Sequence, residues 1–125
     1  MDMVDNQLKV LIVDDDEDDI FLVREMLREG LLETDLILDY ALTGADAVSL
    51  INKGDYDIFL LDLHLGKADG LSILKYIHDK NSSVPVVFLT SQGDQEKAVE
   101  VMKAGATDYL IKSKLSVESL TQSIR

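Results

Sequence analysis

Ile58-Phe59-Leu60-Leu61-Asp62 decides the fold of this chain: four apolar residues, without a break, end on a single carboxylate. The motif recurs. Val10-Leu11-Ile12-Val13 runs into Asp14-Asp15-Asp16, Val86-Val87-Phe88-Leu89 into Thr90-Ser91, and Tyr109-Leu110-Ile111 into Lys112. Runs of this length, rich in β-branched residues and uninterrupted by polar positions, suit strands buried on both faces, as in a parallel sheet.

The segments between the runs carry helical spacing. Ile20, Val23, Met26 and Leu27 form one stripe, with Gly30 as the expected C-cap. Residues 36–42 read as a second strand. A short helix over 44–52 follows, with Ala45, Val48 and Leu50 or Ile51 facing inward. Gly66 and Gly70 bracket a loop, and Leu71, Leu74 and Ile77 make the next stripe. Pro85 opens the strand at 86, where a missing N–H is tolerated. Residues 95–104 form a helix with Ala98, Val101 and Met102 in phase and Gly105 as its stop. Val117, Leu120 and Ile124 begin a last helix. Met26 and Met102 are expected in the core. A strand–helix unit repeated five times implies an α/β fold with right-handed crossovers. The chain is expected to be a single domain over residues 1–125, structured from about residue 8. The uncapped end of the last helix at Arg125 suggests a longer natural chain.

Composition narrows the function. The 125 residues are 46% hydrophobic, enough for a core. Twenty-four acids against 12 bases give a net charge of −12, which disfavours direct nucleic-acid binding. Cysteine is absent, which excludes disulfides and thiolate chemistry. No apolar run approaches a membrane span and no secretory signal is visible, so a cytoplasmic location is expected.

In a parallel sheet the strand C-termini share one edge, and ligands bind there. Asp14, Asp15, Asp62, Thr90 and Lys112 should therefore converge. Clustered carboxylates about 4 Å apart repel by about 4 kcal/mol per pair at an effective dielectric near 20, and require cations. Lys112 provides one. A hard divalent ion such as Mg²⁺ provides the rest. Carboxylates, a lysine and a hydroxyl make a cradle for a phosphoryl group, with an aspartate as nucleophile. Asp16 to Asp19 have a simpler reading, as acids capping a helix N-terminus. The run Asp14 to Glu25 also imitates a calcium loop, but Asp19 stands where the turn requires glycine.

Val13-Asp14-Asp15, Leu61-Asp62 with Asp69-Gly70, Leu89-Thr90-Ser91 and residues 105–112 (Gly-Ala-Thr-Asp-Tyr-Leu-Ile-Lys) stand in the order and spacing of a known family. The chain resembles a receiver domain of a two-component response regulator, the CheY-like fold. The resemblance implies a flavodoxin-like, doubly wound five-stranded parallel sheet of order 2-1-3-4-5. It implies that Asp62 accepts a phosphoryl group from a sensor histidine kinase or histidine phosphotransfer protein. Asp15 and Asp62 would bind Mg²⁺ through side chains, Asp14 through water and His64 through its backbone carbonyl. Thr90 and Lys112 would contact the phosphoryl group. Thr90 and Tyr109 would be the switch, acting on a face made by helix 4, strand 5 and helix 5, which could also form a homodimer. Such a domain assists its own phosphorylation and dephosphorylation and is not an enzyme in the usual sense. The output domain or partner is unknown.

The sequence departs from the family at Gly66 and Ser113, where proline is usual. A cis peptide before Ser113 would cost about 3 kcal/mol, so trans is expected. His64 and Gln92 flank the phosphoryl position, and no partner for His64 is evident. Two alternatives stand beside this reading. One is a phosphatase of the haloacid dehalogenase type, with Asp14 of Asp14-x-Asp16 as nucleophile. The other is a non-phosphorylated interaction domain.

Overall fold

The computed structural model describes residues 7–65, 68–91 and 94–124. Its elements alternate in chain order: β1 (Gln7–Val13), α1 (Glu17–Gly30), β2 (Asp35–Ala41), α2 (Gly44–Lys53), β3 (Ile58–Asp62), α3 (Gly70–Lys80), β4 (Val86–Thr90), α4 (Gln95–Lys103), β5 (Asp108–Ile111) and α5 (Val117–Ile124). The five strands form one parallel sheet in the order β2-β1-β3-β4-β5, as expected. Between β3 and α3, where sequence suggests a plain loop, His64–Leu65 pairs antiparallel with Ala68–Asp69 in a two-residue ribbon. Gly66 and Gln92 lie outside the described residues.

The central strands are buried because both faces of the sheet are covered. Side chains alternate across a strand. Leu11, Val13, Phe59, Leu61 and Phe88 pack in one core cluster with Ile51, Ile73, Leu74 and Val101 from α2, α3 and α4. Val10, Ile12, Leu60, Val87 and Leu89 pack in the other, with Ile20, Val23 and Leu27 of α1 and Leu120 of α5. The edge strands β2 and β5 are only half-buried.

Three local expectations change. In α2 the inward positions are Gly44, Ala47 and Ile51, with Val48 and Leu50 packed beside them, and Ala45 is exposed. Alanine fits either environment, so Ala45 and Ala47 did not fix the phase. Met102 is 37% exposed on α4 rather than in the core, while Met26 packs against the α1–α5 cluster. Gly30 is the last residue of α1, and Leu31 is the C-cap. A Cβ on Gly30 would run into Thr121 Oγ1 of α5, so its small size serves the close approach of α1 and α5. Gly105, by contrast, does stop α4, with φ +113°.

A hydrogen bond ties the loop before β3 to the sheet edge. Tyr56 donates its hydroxyl to Asp39 Oδ2 of β2 at 2.7 Å, while its ring meets Phe59 edge-on at 5.5 Å. Burial, and then the Asp39 carboxylate, raise the Tyr56 pKa and keep the hydroxyl a donor. Tyr56→Phe is expected to cost about 1–2 kcal/mol, because the bond to a charged acceptor is lost while the ring packing stays. Urea unfolding of the two proteins measures it; equal midpoints would show that water replaces the bond.

Candidate functional site

The register places the polar strand ends together. Val13 is opposite Leu61, Asp62 opposite Leu89, and Thr90 opposite Ile111. Each residue that follows or ends these strands therefore reaches the same edge of the sheet. Asp14 leaves β1 with its N–H bonded to Ala41 O at 3.1 Å, and its Oδ1 accepts from the Asp16 N–H at 3.0 Å. Asp16 in turn caps α1 by accepting from the Asp18 N–H at 2.9 Å, so the capping role read for it is correct. The chain reverses at Asp14 to Asp16 because these short acids satisfy the free amides of the turn.

Asp14 and Asp62 are buried, at 1% and 6% exposure, and Asp15 is exposed. One oxygen of each of the three carboxylates lies within 4.8 Å of the others, a grouping that could hold a metal ion. Lys112, placed by the end of β5 and the 3₁₀ turn Lys112–Lys114, enters the same space. Its Nζ is 2.9 Å from Asp14 Oδ2 and 3.4 Å from Asp62 Oδ2. Among the described residues no peptide bond is cis, so the Lys112–Ser113 bond is trans as expected.

The electrostatics follow from the burial. Desolvation, then the Asp14 charge, push the Asp62 carboxyl up from 3.8 to about 6, and Lys112 and the His64 N–H pull in the other direction. For Lys112, burial opposes the charge, but its contacts with Asp19 and Asp14 and the fields of Asp62 and Asp14 outweigh it and raise the pKa. Lys112 is thus a fixed cation facing an excess of carboxylates. Asp14 Oδ2 is buried with no hydrogen-bond partner among the described residues, despite its charge contact with Lys112. A buried oxygen left in this state suits a further cation, and an all-oxygen donor set suits a hard one.

Thr90 is buried at the end of β4, and its hydroxyl donates to Leu110 O over a long 3.5 Å. Tyr109 is half-buried on β5, and shares with Thr90, Asp94 and Ala98 the lining of a cavity of about 10 Å³ under α4. His64 reaches the site through its N–H, which donates to Asp62 Oδ1 at 3.3 Å.

Two contacts were not foreseen. Asp19, read only as a helix-end acid, has its Oδ2 2.8 Å from Lys112 Nζ. It lies on the first turn of α1, 93 residues from Lys112 in the chain, and no local spacing announced the contact. His64 does have a partner: its Nε2 is 3.1 Å from Asp94 Oδ2. Asp94 is the residue before α4 and makes no side-chain cap bond there. Nothing in the spacing of 64 and 94 announces this pair, which depends on the β3–α3 and β4–α4 loops meeting above the sheet edge.

Comparison with known proteins agrees with the geometry. A family model described as response regulator receiver domain matches residues 10–125. The transcriptional regulatory protein ZraR of Salmonella typhimurium is 34% identical over 110 residues, 88% of this chain and 24% of that protein. The transcriptional regulatory protein CusR of Escherichia coli is 34% identical over 105 residues, 84% of this chain and 44% of that protein. The chain thus spans less than half the length of these curated relatives. The receiver domain of the Francisella response regulator 1452 superposes with a TM-score of 0.78 at 30% identity, covering 94% of this chain and 93% of that one.

Proposed function

We propose, since this chain belongs to the response regulator receiver domain family, that Asp62 is its phosphoacceptor and that a phosphohistidine on a kinase or phosphotransfer protein is the donor. The observation that carries this is the Asp62 carboxylate itself, at a buried sheet edge, with Asp14 and Asp15 oxygens within 4.8 Å and a lysine ammonium at 3.4 Å. An Asp62 oxygen attacks phosphorus, the phosphorus–nitrogen bond of the donor breaks, and the imidazole leaves and takes up a proton. Lys112 meets charge on the transferring oxygens, and the Thr90 hydroxyl turns from Leu110 O to a phosphoryl oxygen. Asp14, Asp15 and Asp62, with the His64 carbonyl, would hold Mg²⁺, which would supply further charge neutralisation. The domain assists its own modification and turns over no outside substrate.

The output is a change of surface. Movement of Thr90 lets Tyr109 turn toward the small cavity under α4. The face built from α4, β5 and α5 carries Val99, 50% exposed, beside Met102, and is the surface offered to an output domain or to a second copy of the chain. The names of the curated relatives point to transcription, but a charge of −12 disfavours direct contact of this domain with DNA. Among the described residues no helix is long and apolar enough to cross a membrane. We place the domain in the cytoplasm, with its donor, as one receiver unit over residues 1–125.

The phosphatase alternative is disfavoured by the family match and by the packing of Asp14. Asp14, at 1% exposure, is buried more deeply than Asp62, at 6%, and both its oxygens are engaged more closely, by the Asp16 N–H at 3.0 Å and by Lys112 at 2.9 Å, against 3.3 Å and 3.4 Å for Asp62. The test is intact-protein mass spectrometry after incubation with Mg²⁺ and a small acyl phosphate. A single adduct that chelation prevents is expected. No adduct, in a protein shown to bind Mg²⁺, would make this a module acting through constitutive contacts.

Metal binding has its own test. Mg²⁺ at about 100 times its Kd is expected to raise stability by about 2.7 kcal/mol. Asp15 is exposed, so Asp15→Asn should leave the metal-free fold intact while removing most of that gain at the same Mg²⁺ concentration. Thermal melts with and without Mg²⁺ read both effects; an undiminished gain in the variant would remove Asp15 from the metal site.

A further inference from the structure

Lys112 is shared by three carboxylates, and the division is unequal. Its Nζ lies 2.8 Å from Asp19 Oδ2 and 2.9 Å from Asp14 Oδ2, but 3.4 Å from Asp62 Oδ2. The Asp19 contact is a hydrogen bond by geometry. Asp14 and Asp62 belong to the carboxylate group that could hold a metal, and Asp19 does not. Its side chain is about one-third exposed, on the first turn of α1, where an acid is already favoured by the helix end. The chain therefore places a fourth carboxylate on Lys112, from α1 and outside the group that could hold a metal.

We propose that Asp19 is a positioning residue that competes with the phosphoryl group for Lys112. The proposal rests on Asp62 being the phosphoacceptor. In the resting domain Asp19 draws the ammonium toward α1. After transfer, the phosphoryl oxygens take the ammonium over, and its hydrogen bond to Asp19 is given up. Asp19 thereby sets how readily the site accepts a phosphoryl group. It also couples occupancy of Asp62 to the first turn of α1, because the released carboxylate turns to solvent when Lys112 leaves it. A carboxylate at this position also adds negative charge near the path of an anionic donor, and that effect must be separated from competition at the lysine.

Asp18 separates them. It lies on the same turn, is exposed and carries the same charge, and no contact joins it to Lys112. The rate of adduct formation with a small acyl phosphate would be measured at saturating Mg²⁺ for wild type, Asp19→Asn, Asp18→Asn and Asp19→Glu. Asp19→Asn is expected to react about fivefold faster than Asp18→Asn, the scale of one partly exposed ion pair. Asp19→Glu, which keeps the partner, should return toward wild type. A readout without turnover accompanies this: affinity for the phosphoryl mimic fluoroberyllate should tighten by a similar factor in Asp19→Asn, with Mg²⁺ affinity unchanged. If wild type forms the adduct but Asp19→Asn is no faster than Asp18→Asn, or is slower, the competition is refuted and the phosphoacceptor reading stands. If wild type forms no adduct, both fall.

Discussion

Asp62→Asn is expected to cut phosphoryl uptake by about three orders of magnitude or more, equivalent to about 4 kcal/mol on the transition state, and to make the metal-free domain more stable. The loss of uptake follows because a neutral amide oxygen is a poor nucleophile toward phosphorus. The gain in stability follows from the environment of the carboxyl. Burial and the neighbouring Asp14 raise its pKa from 3.8 to about 6 in the folded domain. The folded state therefore holds the proton more tightly than the unfolded chain. The stability contributed by the protonated form is fully present below about pH 4 and is lost as pH rises through about 6. At neutral pH the ionised carboxylate opposes folding by about 1–2 kcal/mol after allowance for solvent screening, and the amide removes that opposition. Denaturant titrations in chelator from pH 4 to 8 should show the wild type losing stability across that window more than Asp62→Asn. Parallel curves would mean that Lys112 neutralises Asp62 completely.

Lys112→Met is expected to act in the opposite direction on the fold. The substitution leaves the stem packed and removes the ammonium that lies against Asp14, Asp19 and Asp62. Removing one member of a buried charge cluster leaves the others uncompensated, at a typical cost of 3–5 kcal/mol. Lys112 retains 20% side-chain exposure, so the expected loss is about 2–3 kcal/mol in chelator. Mg²⁺ should restore part of it, because a metal neutralises the same carboxylates. Phosphoryl uptake should fall about 100-fold at saturating Mg²⁺, the scale for losing one aligned donor to a transition state. Unfolding with and without Mg²⁺, alongside single-turnover uptake, separates the two roles. A variant as stable as wild type in chelator would show that water already neutralises the cluster.

What was legible in the sequence was what repeats. Four apolar runs ending on Asp14, Asp62, Thr90 and Lys112 announced buried parallel strands, and parallel strands place those ends on one edge whatever the helices do. The strand order matches the order implied by the family resemblance. Ala45 and Ala47 were ambiguous because alanine carries no burial preference strong enough to set a helix phase. Met102 was misplaced because helical spacing identifies a face without saying whether that face is covered, and here part of it is left open. Gly30 was read as a local cap when its constraint is the tertiary approach of Thr121 from α5. At the site, Asp14, Asp15, Asp62 and Lys112 were found because strand ends locate them. Asp19 and Asp94 were missed because their partners, Lys112 and His64, are far away in the chain and meet them only once α1 and the loops have docked.

Asp62, and no other carboxylate of the cluster, is the proposed nucleophile. The most direct test is to phosphorylate the wild-type protein with an acyl phosphate and Mg²⁺, reduce the adduct with borohydride and map the product by peptide mass spectrometry. Borohydride converts an aspartyl phosphate to homoserine and leaves free aspartates untouched. Homoserine is expected at position 62, with Asp14, Asp15 and Asp19 unmodified. Homoserine at position 14, with position 62 intact, would contradict it and return the phosphatase chemistry set aside above.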